Sequence, residues 1–353
     1  MKFLKFVNLS PICLSGLILI LFSPGASFGA EGVPYHLRRG TNGELLLEGT
    51  SCDVVRKETK ALRAWTTQLG EPLAAFPELV SMPNGRCYAV LDGSAPEIVR
   101  SLEGQRAPNT GPNCHNTALV ASKMSKYLHF TGGREMTFWI TSPLCRALQA
   151  EEAPEPGDII VIRTDRPFAM EYHSMIYLSD DMVFSKHDTA AFWPFALQSI
   201  DGELAAFGIP ASASATCKRA TGAPNECSVF ANYFRCDSFD NFLRAKQPTE
   251  KYVNAEKAMN AAERHIQCVT FAKEAPGEPM LTIVESSLNA LEQLAKSELH
   301  AIGGIELGQI PSHKPTGNVA KESQIFLWES IWWKSFSLKS SLGMLRNRSP
   351  QKQ

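Results

Sequence analysis

A cysteine at the start of a predicted helix is the residue of this chain best placed to do chemistry. Cys114 follows the turn-forming run Gly111-Pro112-Asn113, and apolar residues recur at helical spacing from Val120 to Leu128. In the first turn of a helix, unpaired backbone N–H groups and the positive end of the helix dipole favour a thiolate over a thiol. Cys114 is therefore a candidate nucleophile, and a small buried structural residue is the alternative.

A cysteine nucleophile needs a base, and His173 is the best-placed histidine. It begins a predicted strand, from which a side chain can point at the start of a helix packed across the sheet. His115 adjoins Cys114 but lies about 100° around the helix from it. His129 is predicted at the far end of the same helix, roughly 20 Å away. We therefore expect His115 and His129 to be structural or exposed.

A third polar group must hold the base in one tautomer. His187 and Ser185 share one face of the next predicted strand, and Asp188 follows in the turn after it. We favour His187 as this group, with Ser185 as the alternative.

The elements that would position these residues form an antiparallel meander. Beta-branched residues after Pro156-Gly157-Asp158 indicate a buried strand, followed by strands at 173–178 and 182–185. We also expect a strand or apolar loop at 136–140 and a helix over 227–243.

The first thirty residues resemble a secretory signal peptide. Lys2 and Lys5 precede an apolar run at 12–22, and small residues follow up to Gly29 or Ala30, the expected cleavage sites. The run is shorter than the roughly 20 residues that span a bilayer, so an anchor is disfavoured. The mature protein is expected to be exported, to the periplasm or beyond the cell.

The charge balance excludes a typical nucleic-acid binder. The 353 residues include 35 basic and 36 acidic side chains, with a formal net charge of −1 and 44% hydrophobic residues. Nucleic-acid-binding proteins usually show a basic excess or stripe.

Cysteine content fits an exported protein with disulfides. Nine cysteines are present, and Cys13 lies in the predicted signal. Cys52 with Cys87 is a candidate pair for the amino-terminal part, and the close spacing of Cys217, Cys227 and Cys236, with Cys268 beyond, suggests local staples. The sequence alone does not determine the connectivity. If Cys114 is a free thiol, seven other cysteines remain after the signal is removed. Because seven is odd, at least one of them is also free or pairs between molecules. Paired Cys-x-x-Cys elements do not occur in the sequence, so neither a zinc site nor a cofactor is expected.

We divide the chain into the signal, residues 1–30; an amino-terminal segment of unknown role, 31–106; a catalytic domain, 107–245; and a mostly helical region, 246–353. Helices are predicted at 252–272 and 281–299, and the Trp-rich run 325–336 favours another. This last helix either buries its tryptophans against the protein or contacts a membrane surface.

The order of these motifs resembles the NlpC/P60 superfamily of papain-like cysteine peptidases. The specific parts are Pro156-Gly157-Asp158-Ile159-Ile160-Val161 and His173-Ser174-Met175-Ile176-Tyr177-Leu178, and the similarity covers residues 107–195. It implies an α+β fold in which the cysteine-bearing helix packs on an antiparallel sheet. It also implies Cys114 as nucleophile, His173 as general base and then acid, and a polar third residue. The family's usual substrates are amide bonds of cell-wall peptides.

The sequence departs from the family pattern around the cysteine. Asn113 stands where the family usually has Asp, and His115-Asn116 replace Ser-Gly. Counted as in the family, the third residue would be Ser185 rather than His187. Two alternatives therefore stay open: an inactive binding module of the same fold, and a cysteine-dependent acyltransferase or amidase acting on lipid-linked or glycan-linked amides.

Overall fold

The computed structural model describes residues 34–109, 111–164, 171–272, 277–303, 307 and 317–347. The chain has an α+β fold, as predicted. In chain order the elements are β1 (Tyr35–Arg39), β2 (Leu45–Gly49), α1 (Cys52–Gln68), β3 (Leu79–Ser81), β4 (Cys87–Val90), α2 (Glu97–Leu102), α3 (Cys114–Ala121), α4 (Gly133–Ile140), β5 (Cys145–Ala147), β6 (Ile159–Thr164), β7 (Glu171–Ser179), β8 (Met182–Lys186), β9 (Phe195–Ser199), α5 (Ile200–Ala206), α6 (Ala215–Lys218), β10 (Val229–Cys236), α7 (Phe239–Lys246), α8 (Glu250–Phe271), α9 (Glu278–Gly303) and α10 (Val319–Arg346).

A six-stranded antiparallel sheet carries the predicted motifs. Its strand order is β5-β10-β6-β7-β8-β9, so the predicted meander forms its centre as β6, β7 and β8. Helix α3 packs on β7 and β8. The cysteine-bearing helix therefore lies on the sheet, as expected.

Two assignments made from the sequence are wrong. Residues 136–140 belong to helix α4, because Met136, Trp139 and Ile140 are one buried helical stripe rather than an alternating pattern. The predicted helix over 227–243 is strand β10 followed by helix α7. Strand β10 lies between β5 and β6 and is buried on both faces, so its continuous apolar run mimicked a helix.

Helix α3 is shorter than its apolar stripe predicts. It ends at Ala121, and Lys123 has a left-handed φ of 59°, a conformation that stops a right-handed helix. His129 therefore does not lie on this helix, but in the loop that returns towards its start.

The amino-terminal segment is a layer on the main sheet. Strands β1, β2, β4 and β3 form a second antiparallel sheet in that order, and α1 contacts both this sheet and β7. Buried Glu58 of α1 accepts a hydrogen bond from Ser179 at 2.7 Å. Helix α1 therefore joins this second sheet to the main sheet.

The long helices α8, α9 and α10 form a helical layer, in which α10 also contacts α4. Trp328 and Trp333 of α10 are buried, and Phe326 stacks on Phe138 of α4 with ring centroids 5.4 Å apart. The Trp-rich helix is thus docked, although Phe336 is 52% exposed. One hydrophobic cluster runs from Tyr35 to Leu345 through all three layers. Among the described residues, the helices are too short or too polar to cross a membrane.

Three disulfides staple the described part of the chain. Cys52–Cys87 forms as predicted, and Cys217–Cys227 is a local staple. Cys236 instead pairs with Cys145, because β10 lies beside β5 with these two residues in register. Three disulfides indicate an oxidising compartment, consistent with export. The predicted signal peptide lies outside the described residues.

Candidate active site

Helix α3 begins at Cys114, as predicted, and the preceding residue Asn113 caps its amino-terminal end. The Asn113 side chain accepts a hydrogen bond from the Asn116 N–H at 3.1 Å and donates one to the Thr131 carbonyl at 2.7 Å. Asn116 in turn accepts from the backbone N–H of His129 at 2.8 Å. Asn113 and Asn116, which depart from the family pattern, therefore fix the start of the helix against the returning loop.

Cys114 and His173 come together at this helix start. Cys114 is only 6% exposed, and His173 is fully buried on β7. Burial alone would raise the pKa of the Cys114 thiol, but the positive charges of His115 and His173 lower it well below its usual range. Burial would lower the pKa of His173, but the Cys114 thiolate and Glu203 carboxylate raise it to about 9. A thiolate–imidazolium pair is the resting state that this geometry favours.

The carboxylate beside His173 belongs to Glu203, which the sequence analysis missed. Its Oε2 lies 2.9 Å from Nε2 of His173, so Nδ1 is left for the thiol. The contact is an ion pair rather than a directed hydrogen bond, because neither ring nitrogen has a well-aligned partner among the described residues. Apo active sites often show such loose geometry. Burial opposes ionisation of Glu203, but His173 and His187 lower its pKa to about 2.

Helix α5 delivers Glu203 and also positions the imidazole. Its N-cap Ser199 accepts from the Gly202 N–H at 3.3 Å, and Phe207 follows its last turn. The Phe207 ring stacks on His173 with centroids 3.9 Å apart and planes at 9°. Ser199-Ile200-Asp201-Gly202-Glu203 is a helix-start sequence, which is the signal that could have identified this acidic residue.

His187 and Ser185 lie in different places relative to His173. The register that pairs Ile176 with Phe184 brings position 187 opposite 173, and the two imidazole centroids are 6.1 Å apart. Nδ1 of His187 lies 3.4 Å from the second oxygen of Glu203. Ser185 lies within β8, two residues before His187, and its hydroxyl accepts a hydrogen bond from the Gln198 side chain at 3.0 Å. The orienting role of His187 or Ser185 stays a prediction, while the group in contact with the base is Glu203.

His115 is buried at the site rather than exposed. Its Nδ1 lies 2.8 Å from the Ser174 hydroxyl, and its Nε2 lies 3.1 Å from the Glu171 carbonyl. Both contacts are to β7, so the residue after Cys114 faces the sheet. His129 is also buried and contacts Glu263 at 3.3 Å in the helical layer.

A buried lysine lies near the thiol. The Lys186 ammonium donates hydrogen bonds to the carbonyls of Asp188 and Ala190, the latter at 2.9 Å. Burial lowers its pKa to about 8, although Asp188 and Cys114 oppose the shift. Lys186 thus holds the loop after β8 and adds positive potential near the thiol.

These groups open onto a cleft of about 330 Å³. Besides Cys114 and His115, it is lined by Asn113, Tyr172, His187, Asp188, Thr189 and Phe207. Tyr172 is 57% exposed at this cleft. A substrate entering here would meet the sulfur directly, whereas His173 is shielded behind it.

No protein-family model, curated protein or solved structure matches this chain. Among the described residues, no group of three or more His, Cys, Asp or Glu side chains is arranged to hold a metal ion.

Proposed function

We propose that this protein is an exported thiol hydrolase that cleaves an amide bond through a covalent acyl-enzyme. The cluster of Cys114, His173 and Glu203, of which Cys114 lines the cleft, carries the proposal. A thiolate, a base and a carboxylate that orients the base are the parts that nucleophilic acyl transfer needs. The resemblance to papain-like NlpC/P60 peptidases supports this chemistry and favours cell-wall peptide as the substrate.

The reaction would proceed in two steps with one proton carrier. The Cys114 thiolate attacks the amide carbonyl, the carbon–nitrogen bond breaks, and His173 gives its proton to the leaving amine. Water then loses a proton to His173 and attacks the thioester, which releases the acid and restores the thiolate. The backbone N–H of Cys114 has no acceptor within the helix because it belongs to the first turn, so it is a donor for the oxyanion.

Turnover by the full mature chain tests the proposal. Purified cell-wall fragments and their free stem peptides would be incubated with wild type and with Cys114→Ala, and newly exposed amino and carboxyl groups identified by mass spectrometry. We expect hydrolysis by wild type and none by the variant, with unchanged circular dichroism. Equal turnover by both proteins would refute the role of Cys114.

The matched control is Cys268→Ser, since Cys268 is, among the described residues, the cysteine besides Cys114 that lies outside the three disulfides. It should keep wild-type activity. Tight binding of the fragments without cleavage, together with slow alkylation of Cys114, would instead identify a binding module.

A further inference from the structure

One carboxylate lies in the cleft beside the nucleophile. Asp188 is exposed and lines the cleft together with Cys114, whereas the described lining residues include no Lys or Arg. An exposed carboxylate is ionised at neutral pH, so Asp188 gives the cleft a negative charge. The proposed reaction assigns no part to this charge.

Asp188 is held in a fixed position relative to the nucleophile. Its Oδ1 accepts hydrogen bonds from the N–H and the hydroxyl of Thr189, at 2.5 Å and 3.2 Å. Its backbone carbonyl accepts from the buried ammonium of Lys186. The Thr189 carbonyl accepts from the N–H of Gly111, in the turn before Cys114, at 3.3 Å. The carboxylate is therefore tied both to strand β8 and to the turn that carries the thiol.

The second oxygen of Asp188 is left for a ligand. Among the described residues, Oδ2 has no hydrogen-bond or ion-pair partner. The Lys186 ammonium donates to the carbonyls of Asp188 and Ala190 and forms no ion pair with this carboxylate. A protonated amino group would supply both the hydrogen bond and the counter-charge that Oδ2 lacks.

The other groups of the cleft also favour a cation over an anion. A positive charge on His187 would already face Glu203, whose carboxylate lies 3.4 Å from its Nδ1. Both ring nitrogens of His115 form hydrogen bonds within the protein. The remaining walls include the aromatic rings of Tyr172 and Phe207, and the face of an aromatic ring attracts cations.

We propose that the cleft selects amide substrates that carry a protonated amino group close to the scissile bond, and that Asp188 binds this group. The assignment names the substrate class of the proposed function and rests on that function for turnover. Specificity comes from both signs of the interaction, because an acidic group at the same place would lie against the Asp188 carboxylate.

Cys114 itself reports the charge of the cleft without any substrate. In the mature chain carrying Cys268→Ser, rates of modification at pH 7 would be measured with 2-aminoethyl methanethiosulfonate, a cation, and 2-sulfonatoethyl methanethiosulfonate, an anion. In each reaction the Cys114 sulfur forms a disulfide with the sulfenyl sulfur of the reagent, and methanesulfinate leaves. We expect the ratio of the cation rate to the anion rate to be at least tenfold higher than the same ratio for 2-mercaptoethanol, a neutral thiol. A ratio equal to that of 2-mercaptoethanol would overturn the proposal.

Asp188→Asn tests whether this carboxylate is the source of the preference. The variant keeps the oxygen that accepts from Thr189 but loses the charge. Its cation-to-anion ratio should fall at least tenfold below that of the parent. The matched control Asp53→Asn removes a carboxylate that is exposed on α1 and does not line the cleft, so its ratio should stay within about twofold of the parent's. An unchanged ratio in Asp188→Asn would overturn the assignment, and the measurement on the parent holds even if a variant fails to fold.

Matched peptides extend the test to turnover. Cell-wall stem peptides with free amino groups would be compared with the same peptides after acetylation, which removes the positive charge. We expect kcat/KM of the wild type to be at least tenfold higher for the free peptides, and this difference to narrow in Asp188→Asn. Equal kcat/KM for the two forms would overturn the proposal and leave the proposed function standing. A preference for the cationic reagent without hydrolysis of either form would reject the proposed function alone.

Discussion

At the scale of single residues, the site is defined by which group touches His173. Glu203 contacts His173 with one oxygen and His187 with the other, so the carboxylate links the two imidazoles. In the proposed mechanism the Glu203 contact would orient His173 as the base, whereas His187 contacts Glu203 and not His173. Removing the carboxylate and removing His187 should therefore have unequal effects.

We predict that Glu203→Gln lowers kcat by roughly 10²-fold or more, because the base loses its counter-charge and its orientation. His187→Asn should cost less than about tenfold. Steady-state hydrolysis and Cys114 alkylation would measure both variants. A larger loss in His187→Asn would instead support His187 as the orienting residue.

The shifted pKa values of Cys114 and His173 also define the pH range in which turnover is expected. The pKa of Cys114 lies well below its usual range, and that of His173 is raised to about 9. The thiolate and the imidazolium therefore coexist between the lowered pKa of Cys114 and about pH 9. Because both pKa values belong to the free enzyme, we expect kcat/KM to fall above pH 9, while alkylation does not fall there. A fall in kcat/KM centred near pH 6.5 would contradict the coupled pair.

At the scale of elements, a disulfide joins the edge strand β5 of the six-stranded sheet to its neighbour β10. Cys145–Cys236 joins β5 to β10 across 91 residues, whereas Cys217–Cys227 spans 10. Closing a longer loop removes more entropy from the unfolded chain.

We predict that replacing Cys145 and Cys236 together by serine lowers the free energy of unfolding by about 4 to 5 kcal/mol in the chain-entropy description. The matched change at Cys217 and Cys227 should cost about 3 kcal/mol. Urea unfolding monitored by tryptophan fluorescence would compare them. A larger loss from the short loop would show that local strain or packing, not loop length, controls the effect.

At the scale of the whole molecule, a buried charge cluster joins helices α8 and α10 to the loop that follows α3. Lys334 of α10 lies 3.5 Å from Glu263 and 3.9 Å from Glu256, both on α8. Glu263 also contacts His129 in the loop that follows α3. Burial alone would lower the pKa of Lys334, but the surrounding carboxylates raise it. These groups tolerate burial only together.

We predict that Lys334→Met destabilises the fold by about 3 to 5 kcal/mol, because it leaves buried carboxylates without a counter-charge. Lys339→Met, also on α10, breaks a more exposed pair with Glu292 of α9 and should cost about 0 to 1 kcal/mol. The pKa of Glu263 is depressed by Lys334 and His129 against the effect of burial, so its stabilisation is present above the unfolded value and lost in acid. The difference between the two variants should therefore be smaller at pH 4 than at pH 8, as denaturant unfolding would show.

Local patterns predicted much of this architecture. The turn before Cys114, the beta-branched run of β6 and the amphipathic periods of α8 and α9 were sufficient, because each depends on neighbours in sequence. Strand β10 was misassigned because burial on both faces erases alternation. Glu203 was missed because its contact with His173 is made through the fold, thirty residues along the chain. His115 was expected to be structural or exposed, and it is buried with contacts to Ser174 and Glu171 of β7.

The disulfide connectivity also has a consequence for the order of events during export. Cys114 emerges before Cys145, and Cys145 emerges long before its partner Cys236. If thiols paired in the order of their appearance, Cys114 would be joined to Cys145 and the nucleophile would be lost. The Cys114–Cys145 pair is avoided if oxidation follows folding, because β5 then lies beside β10 and Cys145 beside Cys236. The yield of reactive protein should therefore depend on thiol–disulfide exchange that undoes early pairs.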